Sequence, residues 1–305
     1  MTTTLVNGSG AGKPTHKTIE LVEIGTQPNQ EKLFTVVAFG LYGTGKTRFA
    51  VTFPGPLGVI ALNSKCRATM ENVRDAEFPG KKIYFPKQDL IRHAKPMQLA
   101  MMKPRCTEDQ RAFNQVIVGI DEPACCTQHY YRWHMNRVKD AVFTMTEDPR
   151  VKTIIIDDCT IMYDDILFAN FGRNNQISDK RTSYAVPNRE MVEIITAASA
   201  RKHTVLLAKG KYAYVNDKRT NQVVIEGYEK VGFDSTVILH MRRDEKTNDF
   251  YADVQLCQER ASLNGDAGKE LLTNDEINFA TLAAKIFGND DNFLEVFMEY
   301  QEKCQ

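Results

Sequence analysis

The sequence predicts an α/β fold, with a mostly parallel sheet flanked by helices and antiparallel strands added at the C-terminal end. Three observations predict it. An apolar run, "VVAF" at 36–39, breaks into a glycine-rich turn and resumes as a helix. Further apolar runs of strand length then alternate with helix-length segments as far as residue 208, and such alternation returns each strand in the same direction. Finally, short runs at 222–227, 235–241 and 250–257 follow one another with no helix between them.

In chain order, residues 1–30 are rich in Thr, Gly, Asn and Lys and read as a flexible tail. The main domain is assigned to residues 31–287. Its first strand leads into "GLYGTGKTRFA", and "LGVIAL" at 57–62 and "KKIYF" at 81–85 are the next two strands. Residues 86–114 show no clear periodicity, and 86–130 is assigned to a helical insertion, which also contains the strand-like "QVIVGI" at 115–120. Residues 126–148 carry Tyr130, Trp133, Val138, Ala141 and Val142 at near-helical spacing. "TIIID" at 153–157, a helix near 188–201 and "TVLLA" at 204–208 follow, and 288–305 reads as a C-terminal helix. No internal repeat is present.

Gly40, Gly45, Lys46 and Thr47 stand in the spacing G-x-x-x-x-G-K-T, the pattern of a phosphate-binding loop. Small residues there let backbone N–H groups turn inward around an anion, and the following helix adds its positive end. Candidate nucleotide contacts are Gly40, Gly43, Thr44, Gly45, Lys46, Thr47 and Arg48. Lys46 would reach the outer phosphates and the Thr47 hydroxyl would hold Mg2+. A second Gly-Lys, Gly12-Lys13, has Asn7 at the first position, Pro14 after the lysine and no apolar strand in front, so it is set aside.

Such a site also needs an acid at the end of a buried strand. "TIIIDD" supplies Asp157, assigned to Mg2+, with Asp158 beside it as a candidate for orienting water. "VIVGIDEP" offers the rival Asp121, and Glu122 is a further candidate base. Asp157 is preferred because it lies between two helices.

Read together, these segments resemble the phage-encoded RecA-like P-loop ATPases, some linked to single-strand annealing and recombination. The resemblance spans roughly residues 33–287 through "GLYGTGKTRFA", "PGPLGVIALNSKCRATMENV", "YYRWHMNRVKDAVF", "KTIIIDDCTIMYDDILFANFGR", "HTVLLAKGKY" and "VQLCQER". It implies a RecA-like core and ATP hydrolysis coupled to DNA. It also implies a homo-oligomeric ring or filament, a single-strand DNA-binding protein as a further partner, and residence in the host cytoplasm. The sequence departs from the family pattern in two places. The strand after the loop helix runs into Asn63, Ser64 and Lys65 with no catalytic acid, and the strand that should offer a γ-phosphate sensor ends at Ala208, with Lys209 next.

The formal net charge is zero, from 39 basic and 39 acidic residues, so a nucleic-acid surface must be a local patch. The best candidate for single-stranded DNA is "AKGKYAYVNDKRTNQ" at 208–222, where Lys209, Lys211, Lys218 and Arg219 accompany Tyr212 and Tyr214. Residues 212 and 214 are two apart and would share a strand face. "GRNNQISDKR" at 172–181 is a second basic loop, and Arg260 is a candidate arginine finger. Cys125, Cys126, His129 and His134 are zinc-binding types, but their spacing fits no zinc module. Seven cysteines without a C-x-x-C pair, and no apolar run of 18 residues, predict a reduced, cytosolic protein outside the membrane. The alternatives are a loader with little hydrolysis and a small-molecule phosphotransferase, although no arginine-rich lid is evident.

Overall fold

The computed structural model describes residues 33–91, 126–172, 184–228, 231, 235–263 and 270–287. The tail, most of the proposed insertion including "QVIVGI", nearly all of the 172–181 loop and the final segment 288–305 lie outside the described residues.

The elements run β1 (Thr35–Gly40), α1 (Lys46–Val51), β2 (Leu57–Ala61), α2 (Cys66–Glu77), β3 (Ile83–Tyr84), α3 (Thr127–Glu147), β4 (Thr153–Asp157), α4 (Cys159–Phe171) and α5 (Ala185–Ser199). They continue with β5 (His203–Val215), β6 (Lys218–Ile225), β7 (Val237–Arg243), β8 (Phe250–Cys257), β9 (Glu270–Thr273) and α6 (Phe279–Phe287). The sheet order is β3-β2-β4-β5-β1-β7-β8-β9, with β6 paired to β5. Strands β3 through β7 in that order are parallel, whereas β8, β9 and β6 pair antiparallel. The predicted fold class is therefore the observed one.

The central strands are continuous apolar runs because both sheet faces are covered. Alternate residues of β1 serve opposite cores. Val37 and Phe39 join Ile154, Ile156 and Leu206 beneath Tyr130, Met135, Met162 and Ile194 of α3, α4 and α5. Val36 and Ala38 join Ile155, Val205 and Leu207 beneath Phe49, Met70, Phe279 and Leu282 of α1, α2 and α6. Helix α4 is buried nearly all round, and it starts where Asp158 accepts the Ile161 N–H at 3.0 Å. Two completely buried side chains join α3 to α4, with His134 Nε2 3.3 Å from Asp165 Oδ2.

Two expectations need correction. The run at 235–241 is not simply an antiparallel addition: β7 lies parallel to β1 on one side and antiparallel to β8 on the other. Strand β6 ends, and β7 begins, at opposite ends of β1. The strand at 204–208 is also longer than expected, since β5 continues to Val215 and turns through Asn216 and Asp217 into β6. Both turn residues have positive φ, 50° and 59°, as a two-residue hairpin with right-twisted strands requires.

Candidate functional site

The glycine-rich loop joins β1 to α1. Gly43 and Gly45 adopt φ of 77° and 84°, conformations that other residues reach only with strain. Gly40 is required for a different reason, because a Cβ there would stand 2.2 Å from the Met241 carbonyl oxygen of β7. Inside the loop, Lys46 Nζ donates to the carbonyls of Gly40 and Leu41, both at 2.8 Å. Thr44 is buried and donates to the Leu41 carbonyl at 2.9 Å. Burial lowers the Lys46 pKa, and the nearby Asp157 and Asp158 oppose that shift. Thr47 follows in the first turn of α1.

Sheet register brings the acid to this loop. Strand β5 lies between β1 and β4, with Gly40 opposite Lys209 on one side and Asp157 opposite Leu207 on the other. The loop and Asp157 thus share the carboxyl edge of the sheet with one strand between them, where ligands bind in open α/β sheets. Asp157 is only 8% exposed. Its pKa is pushed up to about 6, chiefly by burial and with help from Asp158, against a hydrogen bond from Cys66 and the charges of Lys46 and Lys209. Asp158 caps α4 through one oxygen and ion-pairs with Lys209 through the other, at 3.4 Å. The peptide bond between the two acids is cis.

Cys66, at the start of α2, escaped the sequence reading. Its thiol donates to Asp157, and burial raises its pKa, so it is a neutral donor. Thr160 was missed too. Its hydroxyl accepts the Lys209 N–H at 3.0 Å and donates to the Glu226 carbonyl at 3.1 Å, tying α4 to both strands at the hairpin root. His240 stacks on Phe39 at 4.9 Å, and burial lowers its pKa. None of the three belongs to a recognisable motif, and only strand pairing reveals their proximity.

No protein-family model matches the chain, and no curated protein matches it. Among solved structures, a KaiC-like protein from the hyperthermophilic archaeon Pyrococcus horikoshii OT3 is similar over 75% of this chain and 81% of that chain. The identity is 14% and the TM-score 0.33.

Other candidates are placed less centrally. The Arg48 guanidinium pairs with Glu77 of α2 at 2.5 Å and reaches Asp275 at 3.4 Å, so it serves helix packing rather than the loop. Asp121 and Glu122 lie outside the described residues. Arg260 donates to the Lys285 carbonyl near the end of α6 at 2.7 Å, a bond that reaching a neighbouring subunit would break. Cys126 and His134 are core residues, and among the described residues no group of three or more His, Cys, Asp or Glu could hold a metal by itself. Among those residues no helix is long and apolar enough to cross a membrane.

The basic segment forms the β5–β6 hairpin. Lys209, Lys211, Lys218 and Arg219 are exposed along it, and Tyr214 is 68% exposed. Tyr212 differs: it packs partly against the core, and the Arg219 guanidinium lies 3.6 Å from its ring centre. A register irregularity between residues 212 and 214 separates the two tyrosines' surroundings, so they do not offer two equivalent stacking faces.

Proposed function

We propose that this protein is a RecA-like P-loop ATPase that binds Mg-ATP at the β1–α1 loop and acts on single-stranded DNA as a homo-oligomer. One observation carries the nucleotide reading: Lys46 and Asp157 meet at one sheet edge, a single strand apart, although 111 positions separate them in sequence (157 − 46). The residues fit the ligand. Gly43 and Gly45 open the loop backbone, the Lys46 ammonium points into it, and Asp157 lies within electrostatic reach of Lys46. Thr47 and Asp157 would hold Mg2+, and the Lys46 ammonium would hold the phosphate oxygens. When bound, Mg-ATP supplies the transferable phosphoryl group and the metal that balances its charge.

Residues of this chain would do the rest. Asp158, next to the proposed Mg2+ ligand Asp157, would orient water once Lys209 moves off it. Lys209 is the candidate sensor of the outer phosphate. The exposed cations and Tyr214 of the hairpin support the single-stranded DNA reading, by phosphate neutralisation and base stacking. The phage origin, a ring or filament, and a single-strand DNA-binding protein as partner rest on the family resemblance of the sequence.

A second reading is a loader that binds nucleotide and hydrolyses little. It is favoured by Cys66 hydrogen-bonding Asp157 near the end of β2, where relatives place a catalytic acid, and by the capping role of Asp158. A turnover assay with and without single-stranded DNA decides between the two. ATPase activity stimulated by DNA supports the first reading. Tight ATP binding with no turnover supports the second, and nucleotide phosphorylation would indicate a phosphotransferase.

A further inference from the structure

The β7–β8 ribbon lies against the loop at its three glycines. A Cβ on Gly40 would meet the Met241 carbonyl, one on Gly43 would lie 4.0 Å from Arg243 Nη1, and one on Gly45 would lie 3.3 Å from the Phe250 ring. The glycines therefore admit the ribbon as well as an anion. We infer that Arg243 is a second cationic phosphate ligand of the loop, supplied by the same chain from the β7 side; the inference rests on the nucleotide reading above.

Neighbouring arginines make the contrast. Arg242 holds Asp253 through two bonds, at 2.6 and 3.0 Å, and is compensated. Arg243 donates to the neutral Asn248 side chain at 2.7 Å and lies 5.5 Å from the Phe250 ring centre. Among the described residues no carboxylate pairs with it. An exposed guanidinium, unpaired with any carboxylate among the described residues, thus lies against the middle of the glycine-rich loop, and its planar fork suits phosphate oxygens. Lys46 lies inside the loop and Lys209 borders it from β5. Lys46 and Lys209 act on the acids Asp157 and Asp158, and Arg243 adds a third cation on the β7 flank of the loop, which favours a highly charged anion. Arg260 is not needed for this role.

The test is titration of the full chain with ATP and AMP, for wild type, Arg243→Ala, Arg243→Lys and Lys46→Ala, alongside each variant's thermal midpoint. Loss of a charged hydrogen bond should weaken ATP binding about tenfold to a hundredfold in Arg243→Ala. AMP affinity should change less than about threefold, and the midpoint should stay close to wild type, since an exposed arginine contributes little packing. Arg243→Lys should recover part of the loss, keeping the charge without the fork. Wild-type ATP affinity in Arg243→Ala, with binding lost in Lys46→Ala, would overturn the inference and leave the nucleotide site standing. Equal weakening of ATP and AMP together with a lowered midpoint would also overturn it, making Arg243 a structural pin of the ribbon. Unchanged binding in Lys46→Ala would remove the nucleotide reading itself.

Discussion

Lys209 Nζ lies 3.4 Å from Asp158 Oδ2, so the root of the basic hairpin is ion-paired to the acid beside Asp157. Lys209 is half exposed, which makes the pair weak in water and easy to exchange for another anion. Its backbone is held by a second device, the Thr160 hydroxyl that joins Lys209 to Glu226. A change in charge at Asp158 is therefore next to a polar bridge that joins α4 to both sides of the hairpin root.

Thr160→Val keeps the shape of that residue and removes the bridge. Each lost hydrogen bond is worth about 1 kcal/mol, so global stability should fall modestly. ATP affinity should hold, while the effect of ATP on DNA binding should diminish. DNA titrations with and without ATP would check this, and an unchanged ATP effect would show that the bridge does not link the sites.

Lys46→Ala should remove ATP binding and leave the fold. Among the described residues the ammonium bonds only to carbonyls and a hydroxyl of its own loop, so no described core packing depends on it. Nucleotide titration and far-UV circular dichroism measure the two halves. Normal hydrolysis by the variant is the result that would end the loop assignment.

Asp157→Asn should destroy Mg2+-dependent turnover and, without ligands, stabilise the protein. The folded-state pKa of about 6 lies above the usual 3.8, so Asp157 favours folding only while protonated. That contribution is complete below pH 3.8 and is lost as pH rises through 6. Ionised and buried at neutral pH, the carboxylate costs about 3 kcal/mol, which asparagine avoids. Urea unfolding of both proteins across pH 4 to 8 should show a gap that is widest above about pH 6 and closes near pH 4. A gap independent of pH would mean that the buried charge is not its cause.

Gly40→Ala should damage the fold more than it damages phosphate contacts. A methyl 2.2 Å from the Met241 carbonyl must part β1 from β7. Overpacking of this kind costs about 1–3 kcal/mol or more. A lowered thermal midpoint in the ligand-free variant is expected, and a wild-type midpoint would show that the strands can yield.

On the hairpin, Tyr214→Ala should weaken single-stranded DNA binding by about 1–3 kcal/mol. Tyr212→Ala should act mainly through stability, because that ring packs on the core under Arg219. Replacing Lys209, Lys211, Lys218 and Arg219 together by alanine should flatten the salt dependence of binding. Equal affinity in wild type, Tyr214→Ala and the quadruple variant at two salt concentrations would move the DNA site elsewhere, with the 172–181 loop as the next candidate.

The sequence alone determined the pieces whose cause is local. Four consecutive apolar residues before G-x-x-x-x-G-K-T specify strand, turn and helix, and the run from Thr153 to Asp157 specifies a buried strand ending in an acid. Alternation of strands and helices then implies a parallel sheet. The tertiary structure alone decided which strands lie side by side. Residues 235–241 read as a late antiparallel strand, yet the observed strand β7 pairs with β1 and, with β8, brings Arg243 and Phe250 to the loop. Cys66 meets Asp157 because β2 and β4 are neighbours, and the two hairpin tyrosines differ because one of them rests on the core. Local patterns set how a segment folds, since they fix its backbone hydrogen bonds and its apolar face. Pairing between distant segments is set by how those faces are buried together, and that depends on every other element of the sheet.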